Sequence, residues 1–391
     1  PVESTKAAKI GEVEYTTVAE AISAVGEGQV IVLQSNVTES ITISKNVTID
    51  LNGFKLTNEA SKATIVVESG KLIVNDSSTN GEVIQNGKGS YNAALFVKPG
   101  AKAELNGGFF NSTDVEAWYT LKNCGELTIN NGVKVYNNSN SSSVIANGYF
   151  NKDDYNSVNN TSGAYPDDVS VAKMTINGGA YTGKCYVKND DYGMMAVNGG
   201  EFTISAIKGA ALMNAGTMVI GSADGKNVPV FKGTNSNAVV LNFDDPNNKV
   251  ADPGLLIVNA VKADDASVLI GTASGCTIGE VTLKDKNVWN GEIISVSSGT
   301  VLNGSLAIGE DGVVFNDVKA GANGITVKAG SVDISGTINE GNFVVSGEAV
   351  ITGDMILAPG AGITVSDGAT LTIVDGVTFT INGNLYLNTV Y

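Results

Sequence analysis

Two residue types with distinctive chemistry are missing from this 391-residue chain. It contains no His, and all 24 of its basic residues are Lys, so Arg is absent as well. His is the commonest general base near neutral pH, and Arg is the usual bidentate clamp for carboxylates and phosphates. We therefore expect that the chain is not an enzyme.

Charged residues, cysteines and long apolar runs are also scarce. Charged residues make up 16% of the chain, and the net charge of −16 argues against nucleic acid and anionic membranes as partners. No apolar run approaches the roughly 18 residues of a membrane span, so we expect no membrane insertion. Cys124, Cys185 and Cys276 lie far apart, which favours buried thiols over a disulfide scaffold or a zinc site.

Glycine, by contrast, is abundant, with 47 residues, and some of them belong to a recurring phrase. The phrase is an apolar residue, Asn, Gly, usually a second Gly, and an aromatic residue shortly afterwards. It occurs at residues 105–109, 176–181 and 197–202, with a looser copy at 129–132. A phrase that returns at an almost fixed spacing is typical of a repeat protein.

The spacing of the phrase suggests a solenoid. From Asn106 to Asn130 is 24 residues, from Asn130 to Asn177 is 47, and from Asn177 to Asn198 is 21. The middle gap is close to two periods of roughly 20–24 residues, a range found in solenoids. An array of ordinary hairpins in a β-sandwich is the alternative.

Each period reads as short strands joined by tight corners. Residues 126–129 alternate between polar and apolar side chains, as in a strand, and Asn-Gly favours a turn with positive φ. One such unit cannot bury its own apolar face, whereas a stack of units buries a continuous core. We expect the recurring Asn side chains to form a ladder of amide hydrogen bonds along the stack.

One convincing helix is predicted, over residues 16–25. Thr17 and Glu20 have the spacing of a capping box, and Val18, Ala21 and Ile22 form part of an apolar stripe. A short amphipathic helix before the first rung would protect the open end of a solenoid from aggregation.

These N-terminal residues carry a resemblance to a known family. Residues 10–22, followed by Gly28 and an apolar strand, resemble the entry segment of pectin-lyase-like right-handed parallel β-helix proteins, and residues 47–53 are similar to their second rung. The likeness is strongest to the non-catalytic members found on bacterial surfaces and in phage particles. It implies an all-β fold, a right-handed parallel β-helix with a short N-terminal capping helix, and a location outside the cytoplasm. It does not imply an activity.

The predicted domain organisation has three parts. Residues 1–28 form an N-terminal segment with the capping helix, and residues 29–248 form a parallel β-helix interrupted by a loop insertion at 137–171. Residues 249–391 are either a continuing β-solenoid or a C-terminal β-domain. The acidic, Pro-containing stretch at 244–254 marks the boundary.

The insertion is the main candidate for recognition. It is rich in Asn, Ser and Asp, and its aromatic residues Tyr149, Phe150, Tyr155 and Tyr165 are the candidate binding residues. In one interpretation it is a protrusion that binds a sugar or a protein partner and adds little to the stability of the rungs. In the other it is a flap whose tyrosines pack back on the solenoid wall.

Metal binding would involve the acidic loops. Five Asp-Asp pairs occur, and adjacent carboxylates in loops can help to hold Ca²⁺, which takes six to eight oxygen ligands. Asp153 and Asp190 are the candidates if a metal binds. The alternative interpretation is that the pairs are solvated turn residues, and no cofactor is expected otherwise.

Three functions remain open from the sequence. The first is a non-catalytic structural or adhesive protein, extracellular or at the cell surface, that binds glycan or a protein partner through its loops. The second is a phage virion fibre or decoration protein, for which a homotrimer is the expected assembly. The third is a polysaccharide lyase or hydrolase, although the chain has no Arg and no catalytic motif of such enzymes.

Overall fold

The computed structural model describes most of the N-terminal half of the chain and selected segments of the C-terminal half. The described residues are 6–89, 91–205, 210–222, 226–232, 238–242, 255–258, 262–263, 267–271, 281–283, 293–296, 301–307, 313–327 and 331–388. The chain divides into two compact units, Pro1–Lys208 and Gly209–Tyr391. The predicted domain boundary near 244–254 and the third cysteine, Cys276, lie outside the described residues.

Unit 1 is a right-handed parallel β-helix with three faces, A, B and C. Each complete rung contributes one strand to each face. Strands β1 (Ala8–Ile10) and β2 (Val13–Tyr15) precede the first rung. Face A contains β3 (Val30–Leu33), β6 (Val47–Asp50), β9 (Lys71–Asn75), β12 (Lys102–Leu105), β15 (Glu126–Ile129), β18 (Ala172–Ile176) and β21 (Gly193–Val197). Face B contains β4 (Val37–Thr38), β7 (Lys55–Asn58), β10 (Glu82–Gln85), β13 (Gly108–Ser112), β16 (Val133–Asn137), β19 (Ala180–Gly183) and β22 (Glu201–Ile204). Face C contains β5 (Ile41–Ile43), β8 (Ile65–Val67), β11 (Leu95–Val97), β14 (Leu121–Asn123), β17 (Ile145–Asn147) and β20 (Val187–Asn189).

The strands of neighbouring rungs pair in parallel on every face, as the solenoid interpretation requires. The 47-residue gap is one long rung, because β15 pairs directly with β18. The extra residues lie between β17 and β18, at 148–171, and include helix α2 (Lys152–Asn159). The insertion therefore starts later than the predicted 137, since β17 is part of the solenoid wall.

The aromatic residues near the recurring phrase fill the core behind face B. Phe110, Tyr181 and Phe202 share one inward column with Val135, which lies in the rung between Phe110 and Tyr181, and all four side chains are buried. The rings of Tyr181 and Phe202 stack with centroids 4.6 Å apart. The Tyr181 hydroxyl donates a hydrogen bond to the carbonyl oxygen of Gly178 at 2.7 Å, so its polar end is satisfied inside the core.

The Asn residues of the phrase form the predicted ladder. The Nδ2 atom of each ladder Asn donates to the Oδ1 atom of the Asn one rung earlier. The ladder runs from Asn75 through Asn106, Asn130 and Asn177 to Asn198, with distances of 2.8–3.0 Å. Every residue in the ladder fixes the register of its rung against the next, because a slipped rung would break the amide pairing.

A second Asn ladder lies at the end of face C, and the sequence interpretation missed it. Asn123 Nδ2 donates to Asn147 Oδ1 at 2.6 Å, and Asn147 Nδ2 donates to Asn189 Oδ1 at 2.7 Å. All three side chains are fully buried. Their hydrogen bonds to one another and to backbone carbonyl oxygens of β18 and β21 compensate for the loss of water around a buried amide.

The N-terminal cap is confirmed and has a second part. Helix α1 (Val18–Ala24) starts with the capping box of Thr17 and Glu20, and it buries Val18, Ala21 and Ile22. In addition, β1 and β2 form an antiparallel hairpin, and β1 pairs antiparallel with β3. The hairpin therefore covers the free edge of face A, and the helix packs beside it.

Unit 2, taken by itself, is also built from strands that pair in parallel. Its strands are β23 (Ala210–Asn214), β24 (Thr217–Ile220), β25 (Val230–Lys232), β26 (Ala238–Asn242), β27 (Leu255–Val258), β28 (Lys262–Ala263), β29 (Ser267–Gly271), β30 (Val281–Leu283), β31 (Ile293–Val296), β32 (Val301–Ala307), β33 (Val313–Val327), β34 (Ser331–Val345), β35 (Glu348–Val365), β36 (Thr370–Ile373), β37 (Phe379–Ile381) and β38 (Asn384–Leu387). The long strand β35 bends through three faces, pairing with β36, β37 and β38 in turn. Those three strands form what we call the final rung.

Candidate functional site

The insertion folds back over the outer side of face C. In a parallel stack, outward-facing residues form columns, and one column of face C contains Phe96, Lys122, Ala146 and Lys188 in register. All four side chains are buried, although they point away from the solenoid core. The covering residues come mainly from the insertion, which therefore forms a second, smaller core with the wall.

The entrance to the insertion depends on a glycine. Gly148 follows β17 directly and has a φ of +89°, and a Cβ there would lie 2.4 Å from the carbonyl oxygen of Asp191. No other residue type fits this close approach without a backbone shift. The next residue, Tyr149, donates its backbone N–H to the same Asp191 carbonyl at 3.0 Å, which ties the insertion to the following rung.

A buried ion pair connects the wall to the insertion. Lys122 Nζ lies 2.8 Å from Asp154 Oδ2 and donates a second hydrogen bond to the carbonyl oxygen of Gly148, also at 2.8 Å. The side chain of Lys122 is fully buried, and that of Asp154 nearly so. Asp154 sits in α2, where its backbone N–H is capped by the side chain of Asn151.

The remaining hydrogen-bonding capacity of the Asp154 carboxylate is also used. Tyr91 donates its hydroxyl to Oδ1 at 2.7 Å, and the backbone N–H of Phe150 donates to Oδ2 at 2.8 Å. Burial opposes ionisation, but Lys122 and these donors lower the pKa of Asp154 below its ordinary value. Burial likewise opposes the charge on Lys122, but the neighbouring Cys124 and Asp154 raise its pKa well above the ordinary value.

A second lysine on the same column has its own acidic partner. Lys188 forms an ion pair with Asp190, and both side chains are almost completely buried. The Lys188 ammonium also lies 4.1 Å from the centroid of the Phe150 ring, a cation–π contact. Burial raises the pKa of Asp190, and the Lys188 charge partly opposes that shift.

Three of the four predicted binding residues face inward. Tyr149 is fully buried, and its ring meets Tyr155 edge-on at 5.0 Å; Tyr155 in turn contacts Tyr165 at 5.3 Å. Tyr165 continues this row to Tyr192 of the wall at 5.1 Å. As packed, these tyrosines hold the flap against face C, which is the second of the two interpretations.

The aromatic surface that does reach solvent has two parts. Phe150 is 55% exposed, and Trp118, in the corner before β14, is 42% exposed. The Trp118 ring lies 6.4 Å from that of Tyr91 and 5.8 Å from that of Tyr119. Trp118 was not among the predicted residues, because its corner lies outside the insertion and its sequence shows no repeat signal.

The two predicted metal-binding carboxylates are separated and differently placed. Asp153 is exposed on α2, whereas Asp190 is buried against Lys188. Within the described ranges, no group of three or more His, Cys, Asp or Glu side chains converges. Cys124 and Cys185 are buried thiols, as predicted, and burial raises the pKa of Cys124 to about 12.

The sequence alone did not indicate the group formed by Lys122, Asp154 and Tyr91. Lys122 is an outward-facing residue of β14, and nothing in the local sequence distinguishes a covered outward position from a solvated one. The spacing of Asn151 and Asp154 is a helix-capping signal and would have placed α2. The pairing of Asp154 with Lys122 depends on how the insertion folds back, which no local pattern encodes.

Comparison of the chain with protein-family models, with curated proteins and with solved structures found no match in any of the three. No helix among the described residues is long and apolar enough to span a membrane.

Proposed function

We propose that this chain is a non-catalytic adhesive β-solenoid of an exterior surface, and that it binds a neutral glycan through Trp118 and Phe150. The proposal includes membership of the non-catalytic group of pectin-lyase-like right-handed parallel β-helix proteins. The parallel rungs and the entry segment, with its capping box at Thr17 and Glu20, support that placement.

One observation carries the proposal, namely that a single buried carboxylate anchors both exposed aromatic regions. Asp154 accepts hydrogen bonds from the Tyr91 hydroxyl, beside Trp118, and from the backbone N–H of Phe150. Both aromatic residues are thus linked through Asp154 to the rigid wall, where Asp154 pairs with Lys122. Exposed aromatic rings on rigid supports can bind the apolar faces of sugars, with little entropy lost on binding.

The charge distribution favours a neutral ligand. The corner that bears Trp118 also carries Asp114 and Glu116, and Glu116 is paired with Lys88 at a distance of 3.0 Å. The net charge of −16 would repel an acidic polysaccharide. Carboxylates beside an aromatic ring accept hydrogen bonds from sugar hydroxyls, so a neutral oligosaccharide matches this surface better.

The state of the carboxylates supports a binding role without catalysis. Glycoside hydrolysis generally needs two carboxyl groups on either side of the scissile bond. In the insertion region, Asp154 is bound to Lys122 and Asp190 to Lys188, with both pairs buried. Neither carboxylate is presented to a substrate in this arrangement.

The test is binding to a panel of neutral oligosaccharides, followed by calorimetry on those that bind. We expect Trp118→Ala and Phe150→Ala each to weaken binding about tenfold, because each removes a stacking surface worth more than ~1 kcal/mol. Val115→Ala is the matched control, since Val115 is an exposed apolar residue of the same corner and has no aromatic face.

The contrary outcomes are distinct. Equal binding by all three variants would place the glycan site elsewhere. The chain could instead bind a purified protein partner and no glycan, with that binding lost in Trp118→Ala. This result would show that the surface around Trp118 binds a protein and not a glycan. Release of reducing ends or unsaturated sugars, abolished by mutation of one carboxylate, would contradict the absence of catalysis.

The exterior location has its own test. Antibodies against the purified chain should label intact cells or particles, and external protease should remove the labelling. Labelling that appears only after lysis would contradict this part of the proposal and leave the glycan site untouched.

A further inference from the structure

Four tyrosines form a continuous row that crosses from the insertion to the wall. Tyr149, Tyr155 and Tyr165 belong to the insertion, and Tyr192 lies in the corner after β20. Successive ring centroids along the row are 5.0, 5.3 and 5.1 Å apart. Of these three contacts, it is the one between Tyr165 and Tyr192 that joins the insertion to the wall.

Tyr165 anchors the second half of the insertion. Its side chain is partly buried, whereas the other residues of 160–168 are exposed. The hydrogen bonds between residues 161–163 and Asn156 of α2 stay within the insertion. The packing of the Tyr165 ring on Tyr192 therefore attaches this stretch to face C.

Tyr192 has a backbone conformation that normally belongs to glycine. Its φ is +54°, and this left-handed region is a genuine outlier for a bulky residue. Two rows earlier on the same corner column, Gly100 stands two residues before Lys102 with a φ of +79°, as Tyr192 stands two residues before Met194. Strain of this kind is concentrated at functional positions. A phenol is therefore held at this corner, opposite Tyr165, in spite of its conformational cost.

The two rings are partly accessible, and their hydroxyl ends lie near each other. Tyr165 and Tyr192 are partly buried, whereas Tyr149 is fully buried. The Tyr165 hydroxyl oxygen is shielded from solvent and has no hydrogen-bond partner among the described residues. Burial raises the pKa of Tyr165, and the nearby Asp191 and Tyr192 raise it further. The phenol is therefore neutral, with a carboxyl group close enough to take up its proton.

We infer that Tyr165 and Tyr192 form a site of oxidative coupling, at which a one-electron oxidant driven by hydrogen peroxide joins the two rings through a carbon–carbon bond. Ring centroids 5.1 Å apart place the facing carbons in roughly van der Waals contact, at about 3.5–4 Å. The exposed stretch around Tyr165 allows the ring to make the remaining approach.

The reaction balances with peroxide as the only co-reactant. Each phenol loses one electron and its hydroxyl proton, and the two radicals join at the ring carbons next to the hydroxyl groups. The hydrogens of those carbons then move to the oxygens, which restores both phenols. The two electrons and two protons removed for each link reduce one hydrogen peroxide to two waters.

The bond would fasten the insertion covalently to the wall. A cross-link stabilises a fold mainly by restricting the unfolded chain. The described cysteines, Cys124 and Cys185, are free thiols and do not provide such a link. The inference goes beyond the proposed glycan site, because neither Trp118 nor Phe150 belongs to the row.

The experiment treats the purified chain at low concentration with hydrogen peroxide and a haem peroxidase, and maps the product by trypsin digestion and mass spectrometry. Cleavage after Lys places Tyr165 on peptide 153–173 and Tyr192 on peptide 189–208. We expect the two peptides to be joined with the loss of two hydrogens, in protein that remains monomeric on a denaturing gel. Treatment in concentrated urea should abolish this pair, because unfolding separates the rings.

Three conservative variants identify the coupled residues. Tyr165→Phe and Tyr192→Phe keep the ring but lack the phenol, so each should abolish the linked pair. Tyr155→Phe is the matched control, since Tyr155 belongs to the same row and lies on the same peptide as Tyr165; it should leave the yield of the pair unchanged. Circular dichroism should be that of wild type in all three.

Four results would overturn the inference. They are the absence of the linked pair from treated native monomer, a link confined to peptide 153–173, a pair that survives Tyr165→Phe or Tyr192→Phe, and a pair formed equally well in urea. Glycan binding by the untreated variants should match wild type, so a failure of the proposed glycan site would leave this inference untouched.

Discussion

At the scale of single residues, the ion pair between Lys122 and Asp154 is the clearest link between the wall and the insertion. Both groups are buried, and the carboxylate accepts three hydrogen bonds, from Lys122, Tyr91 and Phe150. A buried pair of this kind contributes little compared with apolar residues of the same size, but removal of one partner leaves an uncompensated charge. A substitution of either residue that removes its charge should therefore be destabilising.

We predict that Asp154→Asn destabilises the protein by about 3–5 kcal/mol, since Lys122 then keeps its charge without a counter-ion. Asp153→Asn is the matched control: it lies next to Asp154 on α2, is exposed, and should change the stability by less than about 0.5 kcal/mol. Urea denaturation monitored by circular dichroism measures both. Equal effects of the two substitutions would show that the pair is not formed.

The pH dependence of the same difference follows from the lowered pKa of Asp154. Its stabilising contribution is present above the unfolded-state pKa of 3.8 and is lost as the pH falls through the lower folded-state pKa. The stability difference between wild type and Asp154→Asn should therefore shrink as the pH is reduced from 7 towards 3. A difference that stays constant over this range would contradict the assignment.

At the scale of elements, the insertion is both a covering layer and an addition to one rung. Tyr149 and Val158 are buried in a cluster with Phe96 and Cys124 of the wall. The rung that carries the insertion nevertheless remains in register, because β17 pairs with β14 and β20, and β18 pairs with β15 and β21. The rungs of the wall therefore pair independently of the insertion, but the insertion still contributes to the stability of the wall through its buried contacts.

We predict that replacing residues 148–171 by a three-residue Gly-Ser corner, like residues 190–192 of the next rung, keeps the β-helix but lowers its stability by several kcal/mol. The loss has two sources: buried side chains such as Tyr149 and Val158 contribute roughly 1.5–3 kcal/mol each, and Lys122 loses its partner. Circular dichroism and thermal melting measure the result. Asp168→Ser, at an exposed position of the same segment, is the control and should melt close to wild type.

This expectation differs from the interpretation of the insertion as a stability-neutral protrusion, and the difference shows where sequence reasoning reaches its limit. Periodicity predicted the rungs, the Asn ladder and α1, because these depend on residues close in sequence or repeated at a fixed spacing. The fold-back of the insertion depends on contacts between residues such as Lys122 and Asp154, which are 32 positions apart and outside any repeat. Trp118 was missed for the same reason.

At the scale of the whole molecule, the absence of His gives the chain an unusual titration behaviour. Without His, no side chain has an ordinary pKa between about 5 and 8. The Asp190 carboxyl group differs from an ordinary carboxyl group, because burial raises its pKa. A carboxyl group with a raised folded-state pKa binds its proton more tightly in the folded state, so its contribution to stability decreases as the pH rises through that pKa.

We predict that the melting temperature changes little between pH 5 and pH 8. Asp190 should add a decline in stability that begins as the pH rises above its ordinary pKa of 3.8 and ends above its raised folded-state pKa, and Asp190→Asn should lack this decline. Thermal melts at closely spaced pH values test both statements. A steep change that persists unaltered in Asp190→Asn would mean that another group controls the stability.

The Asn ladder that runs from Asn75 to Asn198 also affects the chemical degradation of the chain. Asn106, Asn177 and Asn198 are each followed by Gly, the sequence in which an Asn side chain is most readily attacked by the next backbone nitrogen and loses its amide. That attack requires the side-chain carbonyl carbon to approach the following N–H in a suitable geometry. In the ladder, each amide is held by hydrogen bonds to its neighbours along the stack. The contacts that fix the register of the rungs should therefore also slow deamidation at these Asn-Gly corners.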